Sequence, residues 1–261
     1  MRFPEALGHT WTLGKRPSFK KSPLMKRTLM KLLLTNDDGI HADGLAALER
    51  AVSGWGAATV VAPNEPHSGC GHRVNVFRPL LMNEVAAGRL ALDGSPADCT
   101  RIGATQIVPD AAWVLSGIND GGNLGIDVYM SGTVAAVREA ALLGKPGIAF
   151  SQYRRGAIEI DWTAAEVMAR RVLELLAPQP LPPGAYWNVN FPALDDESAT
   201  DPEIVYCPLD TSPHRLEYDC REGSYHYVGS YHDRPRQQGH DIDVCFSGQI
   251  AVSKVVLEGG V

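Results

Sequence analysis

The stretch Leu32-Leu33-Leu34-Thr35-Asn36-Asp37-Asp38-Gly39 decides how the chain is read. A short apolar run that stops on two adjacent carboxylates and a glycine reads as a buried strand carrying negative charge to its C-terminal tip. In open α/β sheets that tip faces a crevice, because the loops leaving the strands line it. Two crowded carboxylates repel each other unless a proton or a cation intervenes, and a hard divalent cation with oxygen ligands is the simplest resident. Asp-Gly is also ordinary turn chemistry, in which Asp37 caps the next helix and Asp38 faces water.

Outward from this run, strand and helix signals alternate. Asp43 is placed to cap a helix with Leu45, Leu48 and Val52 at helical spacing, and Gly54 to end it. Thr59-Val60-Val61-Ala62 then reads as a second buried strand stopped by Pro63, which completes a parallel βαβ unit. Ala112 to Ser116 is a third apolar run, leading into Gly117-Ile118-Asn119. From Thr133, the positions Val134, Val137, Ala141 and Leu142 mark a helix closed by Gly144 and Pro146, and Gly147 to Phe150 reads as a further strand. Ala165, Met168, Ala169, Val172 and Leu176 form one apolar helical face, which is core packing. Residues 200–250, with Val244-Cys245-Phe246 and Ile250-Ala251-Val252, read as an extended β arm or hairpins attached to this core. Three parts are therefore expected: a disordered basic extension over 1–29, an α/β core over 30–198, and a β-rich arm over 199–261 that returns to the core and mediates oligomerisation.

Composition excludes several classes. At 261 residues and 44% hydrophobic, the chain can bury a full core. It has no run of the length and apolar continuity of a membrane span and no secretory signal, so the cytoplasm is the expected compartment. Five cysteines, Cys70, Cys99, Cys207, Cys220 and Cys245, are odd in number and widely spaced, which suits reduced thiols. Residues 1–31 carry eight of the 24 basic side chains but only one of the 30 acidic ones, leaving the remainder with a formal charge of −13. Such an acidic body disfavours polymeric nucleic acid, whose affinity comes from Lys and Arg. It can still bind one phosphate through a metal.

Three more clusters fall at strand ends or a helix start. Pro63 to His72 leaves the second strand, and Ser116 to Asn123 leaves the third. Ser131-Gly132-Thr133 opens a helix whose free N–H groups and dipole favour an anion. Carboxylates for a cation and a helix N-terminus for an anion, in one crevice, describe a site for a metal-bridged phosphate. His67, Cys70 and His72 are soft donors, but a structural zinc site needs four converging ligands. Tyr225, Tyr227 and Tyr231 can stack on a base or pack between arms.

These residues resemble a known family. Thr35-Asn36-Asp37-Asp38-Gly39, Ala62-Pro63 with Ser68-Gly69, Asp93 to Cys99, Ser116 to Asn119 with Gly122-Asn123, and Asp127-Val128 leading to Ser131-Gly132-Thr133 are similar in order and spacing to the SurE family. Gly239-His240-Asp241-Ile242-Asp243 resembles a Gly-x-Asp-x-Asp segment before the last strand of many members. Met130 and Ser253-Lys254 depart from the tyrosine and the Thr-Pro that members commonly carry there. The resemblance implies an α/β fold, a Rossmann-like three-layer parallel sheet with a C-terminal extended β-hairpin arm. It implies a 5′-nucleotidase that hydrolyses nucleoside 5′-monophosphates, and in some cases 3′-monophosphates, with one divalent metal per subunit, magnesium or manganese. Members are usually homodimers or homotetramers that exchange arms. Carried over by position, Asp37, Asp38, Ser68 and Asn119 become the metal ligands, with Asp37 and Asp38 also the catalytic pair. Asn36, Asn123, Ser131, Gly132 and Thr133 become the phosphate pocket. The same site would also serve a non-catalytic metal and phosphate sensor, or a phosphatase acting on polyphosphate or another phosphoester.

Overall fold

The computed structural model describes residues 30–156, 158–194 and 201–257, so the basic extension lies outside the described residues. Strand β1 (Lys31–Thr35) pairs in parallel with β2 (Ala57–Pro63) on one side and with β5 (Trp113–Asp120) on the other. Helix α1 (Asp43–Ala51) connects β1 to β2. Beyond β2 come β4 (Arg89–Leu92) and the antiparallel edge strand β3 (Met82–Ala86). Beyond β5 come β6 (Gly147–Gln152) and β7 (Ala185–Phe191), both parallel, then β11 (Ile250–Val256) antiparallel to β7, and β8 (Ile204–Tyr206) at the edge.

The apolar run in β1 is continuous because both of its faces are covered. Side chains alternate across a strand. Leu32 and Leu34 enter a core with α1 and α4 (Trp162–Leu176). Leu33 enters the opposite core, which contains Cys99 of α2 (Pro96–Ile102) and Ala140 of α3 (Gly132–Leu142). Helices on both faces of a largely parallel sheet give the expected three layers. Trp113 is buried in the first core, as its apolar neighbours suggest.

The structure corrects two expectations. Asp43 does not cap α1: Ala42 holds the cap position without a side-chain bond, and Asp43 lies inside the first turn, where its charge complements the helix dipole. Residues 200–250 are not uniformly extended, because Val244-Cys245-Phe246 belong to helix α5 (Asp241–Phe246). Its first turn carries Asp241 and Asp243, Gly248 follows it with φ +86°, and the chain then enters β11. The hairpin is confined to β9 (Tyr218–Arg221) and β10 (Ser224–Tyr227), while β8 and β11 join the main sheet.

Asp98 ties the segment after β2 to α2. Its carboxylate accepts the Ser95 N–H at 3.0 Å, the Asn75 N–H at 2.9 Å and the Asn75 side-chain amide at 2.5 Å, while Ser95 Oγ accepts the Asp98 N–H at 3.1 Å. Bonds to a charged acceptor are worth more than neutral ones. Asp98→Ala is expected to lower unfolding stability by about 3 kcal/mol, read from the urea midpoint with an unchanged slope.

Candidate active site

Four segments converge where the chain order reverses, between β1 and its neighbours β2 and β5. The turn after β1 is fixed by its own backbone: the Ile40 N–H donates to Pro63 O at 2.8 Å, and the Asn36 amide donates to Gly39 O at 2.9 Å. The loop after β2 is drawn in by the His67 N–H, which donates to Asp37 O at 2.7 Å, and by the Gly71 N–H, which donates to Met130 O at 3.0 Å. At the end of β5, the Asp120 N–H donates to Asp38 Oδ2 at 3.1 Å. Helix α3 begins against Asp37: Ser131 Oγ caps it through the Val134 N–H at 3.0 Å, and the Thr133 hydroxyl donates to Asp37 Oδ1. A β-carbon on Gly132 would stand 2.8 Å from Asp37 Oδ2 and 3.0 Å from Cys70 Sγ, so only glycine leaves room between helix and carboxylate.

The electrostatics follow from this packing. Burial pushes Asp37 up to about 6; the Thr133 hydroxyl opposes that shift and the neighbouring Asp38 charge adds to it. Burial also raises Asp38, opposed by the Asp120 N–H and reinforced by the Asp120 carboxylate. Each carboxylate thus sits where its ionised form is disfavoured, and a cation between them would reverse that balance.

The residues fit a hard divalent ion. Asn119 donates its amide to Gly121 O at 2.8 Å, and that orientation leaves its Oδ1 free as an acceptor. Asn36 Oδ1 is buried with no hydrogen-bond partner. Ser68 is exposed in the loop held by His67. Asp37, Asp38, Asn119 and Ser68 offer only oxygen donors, the set that suits magnesium, manganese or calcium rather than zinc or copper. Among the described residues, no group of three or more His, Cys, Asp and Glu side chains is placed to hold a metal. His72 is instead engaged by the buried Glu139 at 2.9 Å, a carboxylate that Arg101 also binds at 2.8 Å.

Most of the residues singled out in the sequence meet here: Asn36, Asp37 and Asp38 at one strand end, Asn119 at another, and Ser131, Gly132 and Thr133 at the helix start. Asn123 is held differently. It is buried with its amide donating to Ser151 Oγ at 2.8 Å, its carbonyl accepting from Asn188 at 2.8 Å and Asn190 at 3.0 Å, and its N–H donating to Asn190 Oδ1 at 2.8 Å. It braces the glycine-rich loop against β6 and β7. Asp120, which holds Asp38 through its backbone N–H, gave no sequence signal beyond its place after Asn119.

The sequence profile described as Survival protein SurE matches residues 32–212. The chain is 48% identical over 226 residues to a protein of Nostoc sp. (strain PCC 7120 / SAG 25.82 / UTEX 2576) that carries a provisional 5′-nucleotidase name, covering 87% of this chain and 99% of the relative. It is 36% identical over 239 residues to the 5′-nucleotidase SurE of Geobacter sulfurreducens, covering 88% of each. The crystal structure of the SurE protein from Aquifex aeolicus superposes with a TM-score of 0.76 at 30% identity, covering 88% of this chain and 94% of that one. With its profile matched over more than half its length and its fold shared with a solved member, the chain belongs to the SurE family.

Proposed function

We propose that the protein is a metal-dependent phosphomonoesterase, a 5′-nucleotidase that releases phosphate from nucleoside 5′-monophosphates. The observation that carries this reading is the meeting of the buried Asp37–Asp38 pair with the N-terminus of α3. The names borne by the relatives point the same way. Asp37, Asp38, Asn119 and Ser68 would hold one magnesium or manganese ion, which when bound polarises a phosphoryl oxygen and acidifies a water. The chain's own groups do the rest. The N-terminus of α3 at Gly132 would meet the incoming phosphate and offset its developing charge, while the Thr133 N–H is turned to Asp37. Thr133 fixes the Asp37 carboxylate by its hydroxyl, and the Asp120 N–H fixes Asp38. Gly132 lets the first turn of α3 close against Asp37.

The same reading extends to assembly and compartment. An isolated two-stranded hairpin is marginal in water, and β9–β10 exposes Tyr218, Tyr225 and Tyr227 with Val228 just beyond. These apolar faces suit exchange with a second copy, as a homodimer or homotetramer joined through the arm. Among the described residues no helix is long and apolar enough to cross a membrane, which accords with a cytoplasmic enzyme.

Two outcomes test the reading. Purified protein with Mg²⁺ or Mn²⁺ is expected to release phosphate from 5′-nucleoside monophosphates, and Asp38→Asn to lower kcat on the order of 100-fold or more. Metal and nucleotide binding without turnover would instead make the site a sensor, and turnover that survives a chelator would remove the metal from the account. The second outcome concerns pH. Because a proton competes for Asp37 below about 6, Mn²⁺ affinity by titration calorimetry should be level above that pH and fall by roughly tenfold per unit below it. Affinity that stays constant down to pH 4.5 would contradict the assignment of Asp37 as a ligand.

A further inference from the structure

The arm closes on the active-site loop at one carboxylate. Asp127 lies between the two ends of the site, after Asn119 and before Ser131. Its backbone carbonyl accepts the N–H groups of Met130 at 2.9 Å and Ser131 at 3.0 Å, so its position sets the entry to α3. Its side chain faces the arm. Arg234 grips it with both nitrogens, Nη1 to Oδ2 at 2.5 Å and Nη2 to Oδ1 at 3.3 Å, and the Tyr231 hydroxyl donates to Oδ2 at 2.7 Å. The same hydroxyl lies 3.2 Å from Gly122 O, and the Arg234 guanidinium stacks over the Tyr231 ring at 4.8 Å. His214 brings its Nε2 to 3.2 Å from Asp127 Oδ1. Arg234 and Asp127 are both largely buried, with side-chain exposures of 7% and 12%.

The root of the arm is anchored to the same loop. Asp210 accepts the N–H groups of Ser212 at 2.8 Å and Gln237 at 2.6 Å, which joins the outgoing and returning segments of the arm. Asp241 accepts the N–H groups of Asp210 and of Gly125, each at 2.7 Å. A β-carbon on Gly125 would lie 2.7 Å from Asp210 O, and one on Gly122 would lie 3.3 Å from Tyr231 Oη. The glycines of this loop therefore serve close approach of the arm as well as the turn.

We propose that Asp127, Tyr231 and Arg234 form a latch by which the arm positions the loop from Asn119 to Thr133, and that Arg234 and Tyr231 are positioning residues for the reaction. Neither needs to touch substrate. A fork-shaped, buried guanidinium fixes a carboxylate in direction as well as distance. Asp127 passes that constraint through its carbonyl to Ser131, and so to Gly132 and Thr133 against Asp37. Small displacements of such groups cost disproportionate rate.

The catalytic half of this proposal rests on the phosphatase reading; the structural half does not, and the test separates them. The full chain is compared with Arg234→Met, Arg234→Lys and Tyr231→Phe. Arg215→Ala serves as a control, because it removes an arm cation paired with Glu217 rather than Asp127. Amide hydrogen exchange and steady-state kinetics are both recorded. Arg234→Met should speed exchange across residues 121–133 while leaving β1, β5 and β6 protected. It should also lower kcat on the order of 100-fold with KM little changed. Arg234→Lys keeps the charge without the fork and should recover part of kcat. Tyr231→Phe should shift both readouts in the same direction by less, and Arg215→Ala should shift neither. Unchanged exchange over 121–133 in both Arg234→Met and Tyr231→Phe would overturn the latch, as would a loss of protection spread evenly over the sheet. A parent protein without phosphatase activity would overturn the proposed function, and the exchange pattern would still decide the latch.

Discussion

The structure is organised around a carboxylate pair held at the end of its central strand. Asp37 is among the buried polar side chains, packed under the first turn of α3, where the Thr133 hydroxyl and backbone N–H groups engage its carboxylate. A buried charge beside a second carboxylate is costly unless it is neutralised. The surrounding fold accepts that cost: β1 is packed on both faces, the loop after β2 is hydrogen-bonded onto Asp37 itself, and Gly132 lets the helix close over the carboxylate. A pair held this way carries a repulsion that a proton or a cation would relieve.

The N-terminus of α3 stands directly beside this pair. The start of α3 carries partial positive charge; Ser131 uses its side chain to cap the Val134 N–H, and the Thr133 N–H and hydroxyl turn to Asp37. Positive helix end and negative strand end lie side by side, which suits a ligand that carries negative charge and shares a cation with the protein. The loop joining β5 to α3 has to span this crevice without a helix of its own beyond a short 3-10 turn at Gly125–Tyr129. Its shape is imposed from outside: Asn188, Asn190 and Ser151 hold it from the sheet through Asn123, and Asp241 and Arg234 hold it from the arm side.

Much of this was legible in the sequence, for physical reasons. The leucine run in β1 had to be doubly buried, since no polar residue alternates with it, and the two acids after it had to lie at the strand tip. The helices α3 and α4 were visible from their apolar spacing and the residues at their ends. What stayed hidden depended on partners distant in sequence. Asn123 reads as a pocket residue in a glycine-rich loop, yet its bonds go to side chains 28 to 67 positions away. Helix α5 was masked because Val244-Cys245-Phe246 is as apolar as a strand, and its helical state rests on the acidic first turn and on packing against β11. Asp127 resembled a family motif, but the arm residues that clamp it come from a stretch without periodicity.

The proposed chemistry requires that the Asp37–Asp38 pair hold a cation. Crystals grown with Mn²⁺ and measured at its absorption edge test this directly. One anomalous peak per chain is expected, within coordination distance of the Asp37 and Asp38 carboxylates and Asn119 Oδ1. A peak elsewhere, or none at this site at saturating Mn²⁺ and neutral pH, would contradict it.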